Sequence, residues 1–419
     1  MVSADPWYRS SVPELGLAPL AGDTRTDVAI IGGGLCGLAA AVTAAGTQPV
    51  LLEAGRLADG GSGRNGGQVV PGWNPGPADL IQRFGVDRAR ELMVIAEAAI
   101  DWLRAVADPE DWRPGHLIAA VHPRHRVALE QDLAAWRRLG VARTALWSTA
   151  EVAAATGSER FHGGLFDRGG GQINPARLAS TLAAQAIATG ARLHPHTPVL
   201  RLEGTGPFRL ITAAGTVTAE RVLLAADGAN TTLWRGFAGQ VLTLVSAVAV
   251  TEPLAQVPMP RPLAVSDTSN LLDYFRCDGG DRLIYGGLAR FDGSEPADIE
   301  AALRPHVART YPNLATVTFS HAWSGRIAFT ANRMPVLAQP LPGLAATHGF
   351  SGHGVAIAGY AGVLAMTALL GSQPLPACWA TIRHRRLPQG WAGQTIGRVA
   401  GAWYGLKDRI ALVTARSRQ

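Results

Sequence analysis

An α/β fold is predicted for this chain: a Rossmann-type domain joined to a second α+β domain built on an antiparallel sheet. Three observations predict it. Residues 27–68 run as apolar strand, glycine turn, helix, strand, acid and a second glycine-rich loop. Later segments between 241 and 320 read as short strands rich in β-branched residues. The chain has 419 residues, more than one ordinary domain and enough to bury a large core.

The first strand is Asp27–Ile31, followed by Gly32, Gly34 and Gly37 in G-x-G-x-x-G spacing. Gly32 allows the tight turn, Gly34 lets a pyrophosphate approach the backbone, and Gly37 lets the helix pack on the strand. The helix expected over Leu35–Ala45 aims its free N–H groups, beginning at Leu35 and Cys36, at that pyrophosphate. The second strand, Pro49–Leu52, ends at Glu53, about 20 residues past the first glycine, the spacing of an acid that binds the ribose hydroxyls. An acid there favours NAD or FAD over NADP. The loop Gly60–Gln68 then offers Ser62, Arg64, Asn65, Gly66, Gly67 and Gln68, a set of amides and a guanidinium suited to an extended anionic cofactor.

Beyond this unit, Pro77–Ala107 has helical apolar spacing, and Leu242–Thr251, Leu271–Arg276, Leu283–Gly287 and Ala315–Ser320 read as strands. Val355–Leu370 is apolar all round but has 16 residues, short of the roughly 20 that span a bilayer. It reads as a buried helix. The expected organisation is a discontinuous nucleotide domain (25–85, 172–240 and 320–380), a second domain (86–171 and 241–319) and a basic helical tail (381–419).

These segments together resemble the FAD-dependent amine and amino-acid oxidoreductases of the D-amino-acid oxidase superfamily. The likeness is greatest to the branch containing gamma-glutamylputrescine oxidase, glycine oxidase and sarcosine oxidase. It is carried by residues 27–68, by Gly169–Leu178 (GGGQINPARL) and by Glu220–Asn230 (ERVLLAADGAN). Tyr274–Gly287, Trp323–Leu337 (WSGRIAFTANRMPVL) and His348–Gly354 (HGFSGHG) complete it. The resemblance implies FAD as cofactor, a small amine or amino-acid substrate, and oxygen or another electron acceptor. It also implies flavin contacts at Val199, Ala226, Gly228, Arg326, Gly349, Gly352, His353, Gly354 and Val355, with the N-terminus of the Val355 helix facing the flavin pyrimidine.

A flavin accepts hydride from the carbon beside nitrogen, so the protein has to bind, orient and tune rather than supply a nucleophile. His353, between Gly352 and Gly354, is a candidate contact to flavin or substrate, and a space-filling role stands beside it. Tyr274 and Arg276 alternate on one strand and so share a face. Arg276 is a candidate for binding a substrate carboxylate in bidentate fashion, or else part of a surface pair. Trp73 suits a pocket wall or core packing, and Asn332 and Arg333 are weaker candidates. Two departures from sarcosine oxidases stand out. Phe329–Pro335 has no Cys, so FAD is expected to be non-covalent. The only Lys, Lys407, lies in the tail, so the family's oxygen-activating Lys is missing. A dehydrogenase with a quinone or carrier-protein acceptor, or the flavin subunit of a larger complex, remains open on that ground.

Composition narrows the rest. Cys36, Cys277 and Cys378 are too scattered for a disulfide framework or a metal site. The start MVSADPWYRSS lacks a basic and apolar leader, so a cytoplasmic location is expected. No nucleic-acid partner is expected. The net charge of +6 is concentrated in residues 380–419, where eight bases face a single acid, Asp408. Trp391–Val413 suits a helix packed on its own domain, or one lying on a membrane surface or a partner.

Overall fold

The computed structural model describes residues 2–416. Its strands, in chain order, are β1 (Thr24–Ile31), β2 (Val50–Leu52), β3 (Gln68–Val69), β4 (Arg113–Ala119), β5 (Thr144–Trp147), β6 (Gly164–Gln172), β7 (Arg192–His194), β8 (Arg201–Glu203), β9 (Phe208–Ile211), β10 (Thr216–Leu224), β11 (Val241–Thr251), β12 (Ala264–Asp267), β13 (Tyr274–Cys277), β14 (Leu283–Arg290), β15 (Phe319–Thr330), β16 (Val336–Leu341) and β17 (Leu344–His348). The helices are α1 (Leu35–Thr43), α2 (Gly61–Arg64), α3 (Pro77–Phe84), α4 (Val86–Val106), α5 (His125–Arg138), α6 (Thr149–Thr156), α7 (Pro175–Ala188), α8 (Asn230–Leu233), α9 (Ile299–Thr310), α10 (Gly354–Leu369), α11 (Ala377–Ala380) and α12 (Gly390–Arg416).

Two sheets organise the chain. The first has the order β16-β17-β10-β1-β2-β7, with β9 also paired to β10 and β8 to β9. Its centre is parallel: Ala29, Ile30 and Ile31 lie opposite Val50, Leu51 and Leu52 on one side and Val222, Leu223 and Leu224 on the other. Strands covered on both faces read as unbroken apolar runs, as these do. α1, α7 and α10 cover one face, and the all-apolar α10 is buried against α1 and α4. Gly362 permits that approach, since a Cβ there would strike the Cys36 carbonyl.

The second sheet has the order β15-β11-β14-β13-β12-β4-β6-β3, largely antiparallel except for the β4–β12 pair. Its outer face, with Leu117, Phe166, Val265, Phe275 and Tyr285, packs under α9 in a separate core. Its other face turns toward the first sheet through Ile173 and Leu165.

Several expectations are corrected. β15 pairs with β11 from Val241 to Thr251, so residues 319–330 belong to the second sheet and not to the nucleotide unit. The helical spacing of Pro77–Ala107 is borne out by two helices, α3 and α4, separated at Gly85, whose φ is 78°. Residues 315–318 lie in a turn where the strand was expected to begin, β15 starting only at Phe319, and Leu271 and Leu272 lie in the loop before β13. Of the expected helical tail, residues 382–389 are coil, α12 is a helix that docks beside β14, and 417–419 lie outside the described residues.

Candidate active site

The glycine turn forms as its spacing demands. Gly32 has φ 113° and lies so close to Ala225 that a Cβ would overlap its carbonyl, and Gly37 is pressed equally against Gly32. Gly34 is the N-cap of α1, whose first-turn amides have no partner within the helix. One of them, Leu35 N–H, donates to Ser62 Oγ at 3.0 Å, which brings the second glycine loop to the helix end. Glu53 sits beside the turn: Oε2 accepts from Gly33 N–H at 2.7 Å and Oε1 from Gly55 N–H at 2.8 Å. Each carboxylate oxygen keeps a lone pair for a further donor. Val199 lies next to this end of β2, just past Thr197, whose N–H donates to the Glu53 carbonyl at 2.7 Å.

The loop 60–68 is pinned to β15. Trp323 Nε1 donates to the Arg64 carbonyl at 2.9 Å, Arg64 Nη1 donates to the Ser324 carbonyl at 3.3 Å, and Arg64 Nε binds the Asp59 carbonyl. Asn65 closes the turn by donating to Ser62 and Gly61 and accepting from Gly67 N–H. Arg64 and Asn65 thus shape the loop with their own side chains.

At the same end of this parallel sheet, two strands from β1, stands the β17–α10 turn. Asp227, between Ala226 and Gly228 at φ 46°, accepts from Gly349 N–H at 2.7 Å. Burial pushes its carboxyl up to about 6, against the pull of the backbone donors. Asn230 joins β10 to β17 by donating to the Leu224 and Thr347 carbonyls. Gly349, Ser351 and Gly352 all have positive φ, the coil that delivers His353 and Gly354 to the start of α10. Asn74, beyond the glycine loop, donates to the Ser351 carbonyl at 2.6 Å and ties this turn to the loop.

The second sheet supplies the facing wall. His116 Nε2 lies 3.1 Å from Ser266 Oγ, and Ser266 Oγ donates to Gln68 Oε1 at 2.9 Å. Ser266 has one hydrogen, so His116 Nε2 is the donor in the first contact. Gln68 Nε2 donates to the Val265 and Phe275 carbonyls. Burial holds His116 down to about 4 and His353 down to about 4, the latter with help from His116, so both rings are neutral near pH 7. His353 Nδ1 and Asn74 Oδ1 are buried without a partner in the protein, and such groups call for one. Tyr274 packs against Gly66 and Gly286, and its hydroxyl is 3.1 Å from Ser246 Oγ, which donates to the Gly287 carbonyl. Burial raises the Tyr274 phenol to about 12, so it stays a donor.

Two expected site residues are placed differently. Tyr274 and Arg276 do share a face, both against Gly66–Gly67. Arg276 is buried, however, and its guanidinium donates to the Gly66 carbonyl (2.6 Å), Gln172 Oε1 (3.1 Å), Tyr8 Oη (3.2 Å) and the Ile173 carbonyl (3.4 Å). A fork spent on its own chain has no pair of donors for a carboxylate, so that role is corrected. Arg326 lays its carbonyl against Gly61, while its side chain is exposed 3.8 Å from Glu295. Trp73 is core: its Nε1 donates to the Leu92 carbonyl and its ring meets Trp379 edge to face. Asn332 organises the Thr330–Met334 turn. Asp227, His116 and Ser266 were not read from the sequence. The glycine-flanked Ala-Asp-Gly turn was the available signal for the first; nothing local marked the other two.

Residues 27–367 match the family described as FAD dependent oxidoreductase. The chain belongs to this family. It is 33% identical over 420 residues to a probable oxidoreductase, OrdL, of Rhizobium meliloti, covering 96% of this chain and 97% of that one. It is 31% identical over 399 residues to the gamma-glutamylputrescine oxidoreductase of Escherichia coli, covering 92% and 93%. Glycine oxidase from Geobacillus kaustophilus has the same fold, at TM-score 0.69 and 22% identity over 86% of this chain and all of that one. The cofactor of this family is FAD.

The residues present fit that group. Glu53 retains acceptors for ribose hydroxyls, the α1 turn presents amides to a pyrophosphate, and the start of α10 presents a second set of unpaired amides. The partnerless His353 Nδ1 and Asn74 Oδ1 lie in the α10 turn and the adjoining loop.

Proposed function

We propose that this flavoenzyme oxidises the C–N bond of an amine or amino acid to an imine. Water then hydrolyses the imine to a carbonyl compound and ammonia or a smaller amine. Bound FAD would supply the two-electron acceptor for the hydrogen on the carbon beside nitrogen. The observation that carries the reading is the facing wall, a set of neutral hydrogen-bonding groups: His353 and His116 held unprotonated, and Tyr274 held protonated. Such a wall suits an amine that must lose hydride as the free base, because the groups that compose it carry no charge of their own. On this reading His353 Nδ1, buried with no partner in the protein, accepts from the substrate N–H, and the His116–Ser266–Gln68 chain holds the wall together. The relatives named for gamma-glutamylputrescine and glycine support a small amine or amino acid as substrate.

Oxygen is the acceptor in the first reading. A second reading, a non-oxygen acceptor, is favoured by one observation. The sole Lys, Lys407, is exposed on α12 with its ammonium 5.2 Å from the Trp403 ring, and none of the segments that resemble flavin contacts carries a Lys. Incubating the flavin-loaded protein with a panel of amines and amino acids in air tests both. Carbonyl product with equimolar peroxide supports the oxidase. Carbonyl product that forms only when a quinone is added supports the second reading. No carbonyl product from any amine or amino acid sinks the proposal.

A further inference from the structure

The C-terminal helix is unlike the rest of the surface. α12 docks on the body through one face. Gly393, Gly397, Gly401 and Gly405 recur every fourth residue along it, and a Cβ at Gly397 would strike the Phe291 carbonyl. Tyr404 packs 5.5 Å from the Phe291 ring, and Arg398 Nε donates to Asp292 at 3.3 Å. Asp408 accepts from Asn270 N–H (3.0 Å), Asn270 Nδ2 (2.8 Å) and Leu271 N–H (3.0 Å).

The opposite face carries no partner in the chain. At roughly 100° per residue, Trp391, Ile396, Val399, Trp403 and Leu406 fall on the side away from the glycines. They are 80%, 47%, 65%, 55% and 49% exposed, the most concentrated run of exposed large hydrophobics among the described residues. The arrangement inverts an ordinary surface helix, whose apolar stripe faces its own core. Lys407 borders the stripe on one side, its ammonium 5.2 Å from the Trp403 ring, while Arg398 on the other border is held by Asp292. Arg383, Arg385 and Arg386 are exposed just before the helix. The one acid of the tail, Asp408, is turned inward onto Asn270 and Leu271, so the outward side presents bases alone.

We propose that α12 is an in-plane docking surface for an anionic lipid bilayer. Two features select this occupant. The stripe runs along one side of a helix of 27 residues, roughly 40 Å long, beside the exposed bases Arg383, Arg385, Arg386 and Lys407, which complement an anionic surface. Its residues are those of interfacial helices: tryptophans that settle at headgroup depth, aliphatic side chains that enter the acyl boundary, and bordering bases that meet anionic headgroups. A protein anchored by its glycine face to the body and by its apolar face to the bilayer rests on one leaflet without crossing it. No helix among the described residues is long and apolar enough to cross. The inference does not depend on C–N oxidation.

The test is flotation of the flavin-loaded full chain with vesicles of mixed phosphatidylglycerol and phosphatidylcholine, or of phosphatidylcholine alone. The expected result is flotation with the anionic vesicles, at least tenfold less with the neutral ones, and release by high salt. A Val399→Gln, Trp403→Gln, Leu406→Gln triple variant should stay behind while keeping the parent's flavin spectrum and turnover. Arg385→Glu with Arg386→Glu, which leaves the stripe intact, should also lower flotation. The proposal is overturned if the parent does not float with anionic vesicles, or if the triple variant floats as well as the parent. It is equally overturned if the stripe proves to be covered by a second copy: a dimer in sedimentation that the triple variant dissociates, with no vesicle binding.

Discussion

Replacing Arg276 by Met separates a structural clamp from a substrate ligand. Met occupies similar space but donates nothing. The shortest of the four bonds, to the Gly66 carbonyl at 2.6 Å, holds the loop that we propose faces the cofactor. A hydrogen bond from a charged donor contributes about 1.5–3 kcal/mol, so freeing Gly66–Gly67 should weaken FAD binding by roughly 10- to 100-fold. Net stability moves less, because all four acceptors are neutral and the variant also removes a buried cation whose desolvation costs several kcal/mol. Titrating apoprotein with FAD by fluorescence quenching gives the first quantity. The second readout is kcat/KM for an amino acid and for the amine lacking its carboxylate, both at saturating FAD. A clamp lowers both by a similar factor. If the amino acid alone loses more than about tenfold while FAD affinity stays unchanged, Arg276 reaches the substrate and the reasoning fails.

Three further outcomes follow from the geometry. Glu53→Ala removes the acceptor of Gly33 and Gly55 N–H and should weaken FAD by about 10- to 100-fold in the same titration; unchanged affinity would show the ribose lies elsewhere. His116 is held down to about 4 from an ordinary 6.5, so the unfolded chain takes up its proton before the folded one does. Its contribution is therefore complete above pH 6.5 and declines as pH falls toward 4, by a total of about 3 kcal/mol. Denaturant melts across that range should be flatter for His116→Gln than for the parent; equal slopes would contradict a buried neutral ring. Acid precipitation should leave a colourless pellet and a yellow supernatant, since Phe329–Pro335 offers no Cys for a covalent link, and a coloured pellet would show one.

What the sequence revealed and what it hid have a common cause. The β1–glycine turn–α1–β2–Glu53 unit was legible because its constraints are local. Gly32 must turn, Gly37 must pack on the turn itself, and Glu53 ends a strand paired to β1 in register. The buried α10 was legible because an all-apolar run too short for a bilayer has few other destinations. The facing wall was not, because it is assembled from Gln68, His116, Ser266 and His353, whose separations in sequence leave no spacing to read. Arg276 was misjudged for the same reason. Strand alternation placed it correctly beside Tyr274, but its partners come from Tyr8, Gly66, Gln172 and Ile173. β15 went to the wrong sheet because an apolar strand does not announce its neighbour. Its partner β11 lies about 80 residues earlier in the chain.

The most direct test of the account is an anaerobic titration of the purified protein, following the flavin absorption near 450 nm as amines and amino acids are added singly. The account predicts that one substrate class bleaches the band with two electrons per flavin, and that His353→Ala slows this bleaching while leaving the oxidised band in place. A protein that purifies with no flavin band, and takes none up from added FAD, would contradict it at its root.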